Sequence, residues 1–555
     1  MEKWIPVNDV SVLVGGKAGD GINSAGLTVA HLLNRLGYRM YMYFDYPSLI
    51  KGGHNFAIVR ASEGKIGAHR TGVDFILALN QDTIRFHEGR THSGTVVIYD
   101  ADNVKTDGTG VKVREILSAE NAPPIMGNSC IIGAFARASG IGWEIVEQVF
   151  RAHFPKGTDK NLAVARRAFD MAGVKREIPG LAQSPLPVVT GNEAIGLGLL
   201  HAGLDAFVAY PMTPTSNLLH FLAEVSPETG LFVIHPENEI AVILMALGFA
   251  YSGKKTAVGT SGGGFCLMTE GLSFSGQAEL PVVIVLGQRT GPSTGLPTYT
   301  AQSDLHFALH AGQGEFPRFV VAPGDTEEAF AWASVAVRVA WKYQVPAILL
   351  CDKTLCEGSY SFDISAAKPP DIPVPEGEPV VPYRRYEDTP GGISPLLFPG
   401  AADAVVKVNS YAHDESGIST EDPGMVERMT EKRKKKLQGL ASDVAGLPAV
   451  ARRGKTGAKT ALLCWGSTGG VCAEVAGNLG LALVRPIVME PFPVDRFEDA
   501  IQGIDRLIAV EENSLSQLSM LVRRYGFDVS GTVLRYDGRP FTVEELDERV
   551  RRAIS

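Results

Sequence analysis

The sequence predicts an α/β protein of three α/β domains joined by a proline-rich linker. Short apolar runs, typical of buried strands, alternate with amphipathic stretches that are typical of helices. Nine of the 33 prolines fall between residues 369 and 399, where they exclude a helix or a central strand. A chain of 555 residues is long enough for several cores. We expect domains at 1–180, 188–368 and 456–555, with the linker and a charged helix at 369–455.

Composition and charge exclude some function classes. The chain has 52 lysines and arginines against 61 aspartates and glutamates, and its net charge of −9 disfavours nucleic-acid binding through overall charge. We expect the one dense basic run, residues 432–436, on a solvated helix face. The amino-terminal residues lack the apolar core of a signal peptide, and no apolar run reaches the roughly 18 residues of a membrane span. We therefore expect a cytoplasmic protein that binds neither nucleic acid nor membrane.

The cysteines argue against a metal or cluster site on this chain. No two of the six stand in C-x-x-C spacing, so the usual frameworks for iron–sulfur clusters and structural zinc are missing. So few cysteines in so long a chain also suit a reducing compartment. They are Cys130, Cys266, Cys351, Cys356, Cys464 and Cys472. No metal ligand is predicted.

A glycine-rich turn opens the first domain, between a strand over residues 11–14 and a helix from about Asn23 to Leu36. Glycines allow positive φ and close approach of a ligand, and the free amides of a helix N-terminus favour an anion. The spacing departs from the dinucleotide pattern G-x-G-x-x-G, so we expect another phosphate-bearing ligand, with a tight turn alone as the alternative. The candidate glycines are Gly15, Gly16, Gly19 and Gly21.

A second glycine pair follows in the same domain. Lys51, Gly52, Gly53 and His54 stand between an aromatic-rich stretch and a strand. Lys51 and His54 are candidates for the same anion site, whereas two glycines before a strand are often only a turn. The alternation of strands and helices through residue 180 predicts a mainly parallel sheet.

The second domain contains the most specific string, residues 210–216, directly after a predicted strand. Two prolines stiffen this loop, so its hydroxyls are held on a rigid support that suits a small polar substrate. Tyr210, Thr213 and Thr215 are the candidates. Ser216 could instead cap the next helix.

A carboxylate opens a strongly apolar helix that we predict over Glu239 to Tyr251. The helix dipole would stabilise Glu239 at this position, and that alone could explain the residue. The apolar neighbours also favour a partly buried carboxylate, and such a group can share a proton with a ring nitrogen.

Two further loops follow predicted strands of this domain. Residues 260–265 form a glycine-rich loop of the kind that holds an anion or a cofactor. Arg289 follows another strand, where a guanidinium suits bidentate recognition of a carboxylate. A surface arginine is the alternative, but it fits poorly between a buried strand and a Gly-Pro turn.

Together these strings resemble the fused γ–α large subunit of 2-oxoacid:ferredoxin oxidoreductases, above all the 2-oxoglutarate type. The resemblance extends over essentially the whole chain, and several strings in order are far more specific than any one alone. It rests on the glycine-rich first domain and on the strings Gly52–His54, Tyr210–Pro214, Pro236–Ala241, Gln288–Gly295, His413–Glu415 and Val510–Asn513.

The resemblance implies a role for each domain. The first is similar to the γ domain that handles coenzyme A, the second to the pyrimidine-binding domain of thiamine diphosphate enzymes, and the third to the transketolase C-terminal domain. The diphosphate site with its Mg²⁺ and a [4Fe-4S] cluster are expected on a separate β subunit. The expected assembly is (αβ)2, with ferredoxin as electron acceptor.

The resemblance also implies residue roles. Glu239 resembles the glutamate that hydrogen-bonds the aminopyrimidine and promotes the reactive ylide, with Glu237 as the nearby competitor. Thr213 resembles the threonine that contacts the 2-oxoacid, and Arg289 the arginine that binds its carboxylate. The implied substrate-binding residues are Tyr210, Thr213, Thr215, Arg289, Ser293 and Thr294; the cofactor-binding residues are Glu239, Ser261, Gly262, Gly263 and Phe265; the coenzyme A or anion residues are Gly15, Gly16, Gly19, Gly21, Lys51, Gly52, Gly53 and His54.

The implied reaction is the coenzyme A-dependent oxidative decarboxylation of a 2-oxoacid. The preferred assignment is 2-oxoglutarate to succinyl-CoA, CO2 and reduced ferredoxin, and pyruvate, branched-chain or aryl 2-oxoacids are the alternatives. Two other classes compete. A nicotinamide-dependent dehydrogenase would need an acidic ribose partner that is missing after the first turn, and a non-catalytic binding subunit would not need Glu239, Thr213 and Arg289 together.

Overall fold

The computed structural model confirms the α/β architecture and contains three sheets. It describes residues 9–48, 53–154, 156–373, 381–402 and 404–555. The chain forms two compact units. The first comprises Met1–Thr190, Glu357–Asp363 and Phe541–Arg552, and the second Gly191–Cys356, Ile364–Pro540 and Ala553–Ser555.

The elements are numbered in chain order. Through residue 190 they are β1 (Asp9–Lys17), α1 (Ile22–Arg35), β2 (Arg39–Asp45), β3 (His54–Ser62), β4 (Phe75–Ala78), α2 (Gln81–His87), β5 (Val96–Asp100), β6 (Thr109–Val111), α3 (Val113–Ala119), α4 (Gly127–Ala138), α5 (Trp143–His153), α6 (Thr158–Met171) and β7 (Val188–Thr190). Through residue 361 they are α7 (Gly191–His201), β8 (Ala206–Ala209), α8 (Ser216–Thr229), β9 (Phe232–Ile234), α9 (Glu239–Tyr251), β10 (Thr256–Ser261), α10 (Gly262–Ala278), β11 (Val282–Gln288), α11 (Leu305–His310), β12 (Phe319–Val321), α12 (Thr326–Tyr343), β13 (Pro346–Asp352), α13 (Lys353–Glu357) and β14 (Ser359–Ser361). The rest are α14 (Pro423–Gly446), β15 (Val450–Gly454), β16 (Thr460–Leu463), α15 (Thr468–Leu479), β17 (Ala482–Pro486), β18 (Val488–Glu490), α16 (Val494–Ile501), β19 (Arg506–Glu511), α17 (Gln517–Arg524), β20 (Gly531–Leu534) and α18 (Val543–Ile554).

The first unit is built on a mixed sheet, so the prediction of a mainly parallel sheet is wrong. The strand order is β6-β5-β4-β1-β3-β2-β14-β7. Strands β1, β4, β5 and β6 pair in parallel, whereas β3 pairs antiparallel with β1 and β2. The reason lies between β2 and β3: the segment from Tyr46 to Gly53 is shorter than the dozen or so residues that a parallel crossover needs.

The second unit contains the other two sheets. One has the order β18-β12-β13-β11-β10-β8-β9 and is parallel except for β18. Its central strands are fully buried, as expected for a parallel sheet covered by helices on both faces. The other has the order β15-β17-β16-β19-β20 and begins at Val450. Its first strand, β15, is an edge strand in which Arg452 and Arg453 are exposed.

The basic run does not lie wholly on a solvated face, and that prediction is wrong. Lys432 and Lys436 stand one helical turn apart on α14, so both point to the same side. That side is buried, and both ammonium groups pair with the Glu279 carboxylate at the end of α10, Lys432 at 2.7 Å. Lys434, on the opposite side, is exposed. Burial alone would raise the pKa of Glu279, but the charges of the two lysines and of Arg385 outweigh it and hold the pKa of this carboxyl well below its usual range.

The proline-rich segment contains neither helix nor strand in its described residues between 364 and 422. Parts of it are nevertheless buried. Tyr386 is fully buried and stacks on His413 with ring centroids 3.8 Å apart. The Arg385 guanidinium donates to the carbonyl oxygen of Glu279 at 2.8 Å.

Within the described residues, no helix combines the length and the apolar character that crossing a membrane requires.

A histidine pair makes the stability of the first unit sensitive to acid. His31 on α1 and His153 on α5 stack with ring centroids 3.6 Å apart. Burial, with smaller contributions from the charges of His153 and Arg35, lowers the pKa of His31 to about 4. The unfolded chain binds this proton more readily, at the ordinary pKa of 6.5. The folded form therefore loses stability as the pH falls from about 6.5 towards 4.

We expect His31→Gln to reduce this acid sensitivity, since the variant removes the group that the folded form leaves unprotonated. The melting temperature of the variant, measured between about pH 7 and pH 4.5, should fall less than that of the wild type. His220→Gln, at an exposed position on α8, is the control and should follow the wild type. Equal losses for His31→Gln and wild type would contradict the assignment.

Candidate functional site

The candidate site of the second unit lies where three parallel strands end. The loops after β8 and β11 carry residues 210–215 and 289–295, and residues 262–264 form the first turn of α10, which follows β10 directly. The prediction of a loop at residues 260–265 is therefore wrong. The carboxyl ends of neighbouring parallel strands meet at one edge of a sheet, and open α/β sheets bind their ligands there. The fold therefore brings three of the predicted strings to the same edge.

Glu239 is buried at the first position of α9, with 4% of the residue exposed. Asn238 caps the helix, because its side chain accepts a hydrogen bond from Ala241 N at 3.0 Å. The Glu239 carboxylate lies against Gly264: a Cβ at residue 264 would stand 2.6 Å from Glu239 Oε1. Glycine is therefore needed at 264 to leave room for the carboxylate. The competitor, Glu237, is exposed.

The junction between β10 and α10 leaves one buried polar atom without a partner. Ser261 precedes the helix, and its Oγ is buried and makes no hydrogen bond. Gly263 is exposed on the first turn. Phe265 is fully buried and packs on Phe307 with ring centroids 4.9 Å apart. Phe265 therefore anchors the turn in the core, Gly263 exposes its backbone, and the Ser261 hydroxyl remains buried and unpaired.

Arg289 is held with part of its guanidinium unsatisfied. Its Nη1 donates to the carbonyl oxygen of Thr213 at 3.1 Å, which joins the loops after β8 and β11. Its Nε is buried without a partner. Burial lowers the pKa of Arg289, and the charge of Asp304 opposes that shift. The edge formed by Nε is the part of the side chain that can still bind a carboxylate.

The other predicted substrate residues differ in how far their side chains are exposed and free to contact a ligand. The Thr215 side chain is buried, and its Oγ1 donates to Met212 O at 3.0 Å within the turn. Thr215, rather than Ser216, is the N-cap residue of α8, so Ser216 does not cap the helix as the alternative proposed. Tyr210 is partly exposed, with its ring beside His235. Ser293 and Thr294 lie in an exposed loop.

The glycine-rich turn of the first unit borders a crevice of about 1090 Å³. Gly19 faces open space there, whereas a Cβ at Gly15 would stand 2.6 Å from Thr83 Oγ1. Gly15 and Gly16 belong to β1, which continues to Lys17, and they allow close packing rather than contact with a ligand. The polar lining of the crevice includes Lys17, Asp20, Asn80, Asp100, Asn103, Arg114, Asn121 and Asn128.

The second glycine pair lies partly outside the described residues, which omit Lys51 and Gly52. Gly53 is exposed. His54 begins β3, and its Nε2 lies 2.9 Å from His87 Nε2. Burial lowers the pKa of His54.

Comparison with known proteins shows which family this chain belongs to. The model described as "Pyruvate ferredoxin/flavodoxin oxidoreductase" matches residues 11–171, and that described as "Pyruvate flavodoxin/ferredoxin oxidoreductase, thiamine diP-bdg" matches residues 197–432. The alpha subunit of 2-oxoacid:ferredoxin oxidoreductase 2 from Aeropyrum pernix is 30% identical, with 98% of each chain covered. The chain belongs to the 2-oxoacid:ferredoxin oxidoreductases, as an alpha subunit.

Two further relatives of this alpha subunit concern 2-oxoglutarate. The 2-oxoglutarate oxidoreductase subunit KorA of Mycobacterium tuberculosis is 32% identical over 69% of this chain and 60% of that protein. The 2-oxoglutarate:ferredoxin oxidoreductase from Magnetococcus marinus, solved with 2-oxoglutarate, coenzyme A and succinyl-CoA bound, has a TM-score of 0.89 and 29% identity. That match covers 99% of this chain and 100% of the other. The resemblance inferred from the sequence strings is thus confirmed.

The string at residues 510–513 of the alpha subunit is buried and holds Gln302, two residues before Asp304. Glu511 is fully buried and accepts hydrogen bonds from the backbone of Leu518 at 2.8 Å and of Ser519. Glu512 exchanges backbone and side-chain hydrogen bonds with Gln302. These contacts fix the segment that leads to residue 304. They are structural, and nothing in them indicates a ligand.

Asp304 is the site residue that the sequence reasoning missed. Its carboxylate lies beside the first turn of α10, with Oδ2 2.7 Å from the place of a Cβ at Gly262. An aspartate directly before the short apolar helix α11 was the only signal, and it indicates a helix start rather than a site.

Within the described part of the oxidoreductase chain, no three His, Cys, Asp or Glu side chains are grouped so as to hold a metal ion.

Proposed function

We propose that this alpha subunit, together with a β subunit, catalyses the coenzyme A-dependent oxidative decarboxylation of 2-oxoglutarate, forming succinyl-CoA and CO2 and reducing ferredoxin. The observation that carries the proposal is the buried Glu239 carboxylate beside Gly264, at the same sheet edge as the partly unsatisfied Arg289. An acid–base group and a carboxylate-binding group are thus combined in one site.

The residues present suit the aminopyrimidine half of thiamine diphosphate. Glu239 offers a carboxylate that can share a proton with a ring nitrogen, and Ser261 Oγ is a buried hydroxyl with no partner. Gly263 leaves open backbone beside them. When bound, thiamine diphosphate supplies a nucleophilic carbon that attacks the keto group. The chain itself contributes Glu239 as the group that holds and moves the proton.

Arg289 is proposed to bind the 2-oxoacid carboxylate. Thr213 O fixes Nη1, so the guanidinium is oriented before the substrate arrives, and Nε remains for a charge-assisted hydrogen bond. Thr213 and Tyr210 lie on the same loop and would contact the rest of the substrate. The preference for 2-oxoglutarate over pyruvate, branched-chain or aryl 2-oxoacids is supported by relatives that are named for 2-oxoglutarate.

The crevice of the first unit is proposed to receive coenzyme A. Lys17 and Arg114 provide cations for phosphate groups, and the asparagines and aspartates of the lining provide the hydrogen-bonding groups that a nucleoside needs. Gly19 exposes backbone at the start of this crevice, before α1. Of the predicted anion residues that the structure describes, Gly19 is the glycine that lines this crevice.

The rest of the catalyst is proposed to reside on the β subunit, with its Mg²⁺ and [4Fe-4S] cluster. The cysteines of this chain have no C-x-x-C spacing, and five of the six are buried. An (αβ)2 complex in the reducing cytoplasm, passing electrons to ferredoxin, is the corresponding assembly.

Co-purification of the chain with its β subunit, followed by a panel of 2-oxoacids, tests the proposal. With coenzyme A and a viologen dye under anaerobic conditions, 2-oxoglutarate should give the highest kcat/KM and succinyl-CoA as product. A higher kcat/KM for pyruvate, a branched-chain or an aryl 2-oxoacid would reassign the substrate. No turnover of any 2-oxoacid would reject the proposed reaction.

Replacement of Arg289 by alanine should mainly raise KM for the 2-oxoacid. The loss of a charge-assisted hydrogen bond of about 1.5–3 kcal/mol corresponds to a KM increase of roughly 10- to 100-fold. Initial rates of viologen reduction over a range of 2-oxoacid concentrations provide the measurement. Arg428→Ala, at an exposed position of α14, is the control. An unchanged KM in Arg289→Ala would reject its role toward the carboxylate.

A further inference from the structure

Asn192 holds the loop after β8 from the side of α7. It is fully buried in the first turn of α7, and its Nδ2 donates to the carbonyl oxygen of Pro214 at 2.9 Å. Pro214 is buried as well and has no backbone N–H, so this carbonyl is its only backbone polar group. Asn192 therefore satisfies a buried carbonyl that would be costly to leave without a donor.

The Asn192 side chain is used through its donor alone. Pro214 O can only accept, so the nitrogen of the Asn192 amide must face it. The other atom of the amide, Oδ1, is buried and makes no hydrogen bond. The role of Asn192 in the fold therefore depends on the single contact to Pro214.

The helix that carries Asn192 is a rigid support. A Cβ at Gly191 would clash with the carbonyl oxygen of Leu355, so the start of α7 lies directly on the backbone of α13. One turn after Asn192, a Cβ at Gly196 would stand 2.7 Å from the Phe221 ring on α8. Close packing on two neighbouring helices thus fixes the place from which Asn192 reaches the loop.

The same loop contacts Arg289 one residue earlier. Thr213 O accepts the hydrogen bond from Arg289 Nη1 at 3.1 Å, and Thr213 directly precedes Pro214. The peptide bond between them is planar and the ring of Pro214 fixes φ, so few soft torsions separate the two carbonyl groups. Pro214 also lies over Gly287 of β11, where a Cβ would stand 2.8 Å from the Pro214 Cγ. A shift of Pro214 would therefore move Thr213 O as well.

We infer that Asn192 is a positioning residue for 2-oxoacid binding. By holding Pro214 O it fixes the place of Thr213 O, and Thr213 O orients Arg289 so that Nε is left for the substrate carboxylate. The inference rests on the proposed function. It adds the buried side chain on which the orientation of Arg289 depends before the substrate arrives.

Steady-state kinetics of the co-purified complex test the inference. Asn192→Ala removes the donor, and Asn192→Leu fills its space without a donor. Both variants should raise KM for 2-oxoglutarate by roughly 3- to 10-fold, as the loss of one neutral hydrogen bond would, and leave kcat within about twofold of the wild type. Asn409→Ala is the matched control and should keep the wild-type KM, because Asn409 Nδ2 also donates to a backbone carbonyl, Gly417 O at 2.8 Å, but within the proline-rich segment.

A double-mutant cycle separates the positioning of Arg289 from a general loosening of the fold. If Asn192 acts through Arg289, its loss has no further effect once the guanidinium is absent. Asn192→Ala/Arg289→Ala should therefore have the KM of Arg289→Ala alone. Independent effects would instead multiply, and the double variant would then have the higher KM by the factor seen in Asn192→Ala.

A binding measurement provides a readout without turnover. The probe is 2-hydroxyglutarate, which has the carboxylates of 2-oxoglutarate but no keto group. Its Kd for the complex, measured by titration calorimetry, should rise in Asn192→Ala by the same factor as KM, because both quantities depend on the orientation of Arg289. Asn409→Ala should keep the wild-type Kd.

The outcomes separate the inference from the proposed function. Unchanged KM and Kd in the Asn192 variants, multiplying effects in the cycle, or failure of both Asn192 variants to assemble with the β subunit would overturn the inference and leave Asn192 as a structural residue. A wild-type complex that turns over no 2-oxoacid would instead overturn the proposed function, and the inference with it.

Discussion

Glu239→Gln should abolish 2-oxoacid-dependent dye reduction by the complex. Glutamine has the same shape but cannot exchange a proton with a ring nitrogen, so kcat should fall by at least about 10²-fold, the lower end for loss of an acid–base group. The site itself should survive, because Asn238 still caps α9 and Gly264 still leaves room for the side chain. Anaerobic viologen reduction at saturating 2-oxoacid is the measurement.

The chain offers a matched control for this variant. Glu237 lies two positions earlier, is exposed and precedes α9. Glu237→Gln should retain wild-type kcat, since only the buried carboxylate contacts the first turn of α10. Full activity in Glu239→Gln would remove this residue from the mechanism, and loss of activity in Glu237→Gln alone would transfer the role to the competitor.

Glu279→Gln should cause the largest loss of stability. The carboxylate is almost fully buried and pairs with Lys432 and Lys436, which are buried as well. Its removal leaves two buried ammonium groups without their counter-charge, and breaking such a pair costs about 3–5 kcal/mol. The melting temperature of the second unit should fall accordingly, as measured by calorimetry at neutral pH.

An exposed ion pair on α14 provides the control, because its substitution removes a carboxylate charge without breaking a buried ion pair. Glu431 pairs with Lys434 at 2.6 Å, and both side chains are more than half exposed. Glu431→Gln should cost less than about 1 kcal/mol, as exposed ion pairs usually do. A similar, small effect of both substitutions would show that the buried cluster does not hold α14 in place.

The sequence identified those parts of the site that depend on local pattern. Glu239 could be predicted because it opens an apolar helix, and the observed α9 has the predicted bounds Glu239–Tyr251. Arg289 could be predicted because it follows a buried strand directly. In both cases the side chain and the element that positions it are adjacent in the chain.

Features that depend on tertiary packing could not be predicted in the same way. Asp304 meets Gly262 only because the loop after β11 folds back to the sheet edge. Lys432 and Lys436 are buried because Glu279, far away in sequence, supplies their counter-charge. A basic run cannot show from its own composition that such a partner exists, so the usual expectation of a solvated face was wrong.

The glycines of the first unit show the same limit of prediction from the sequence. Four glycines made the turn after β1 a candidate anion site, but glycine also serves close packing, and the sequence does not distinguish the two uses. The structure separates them: Gly15 has side chains against it, and Gly19 faces the crevice. The prediction of a mainly parallel sheet failed for another reason: it followed the alternation of strands and helices in the whole domain, although the connection between β2 and β3 is too short for a parallel crossover.

The central claim is that this chain provides the aminopyrimidine half of a thiamine diphosphate site that a β subunit completes. Release of labelled CO2 from carboxyl-labelled 2-oxoglutarate tests it most directly, with the chain alone and with the co-purified complex, each with and without added thiamine diphosphate. The account predicts CO2 only from the complex, with dependence on thiamine diphosphate after the cofactor is removed. Release by the chain alone, or release by a complex freed of thiamine diphosphate, would contradict it.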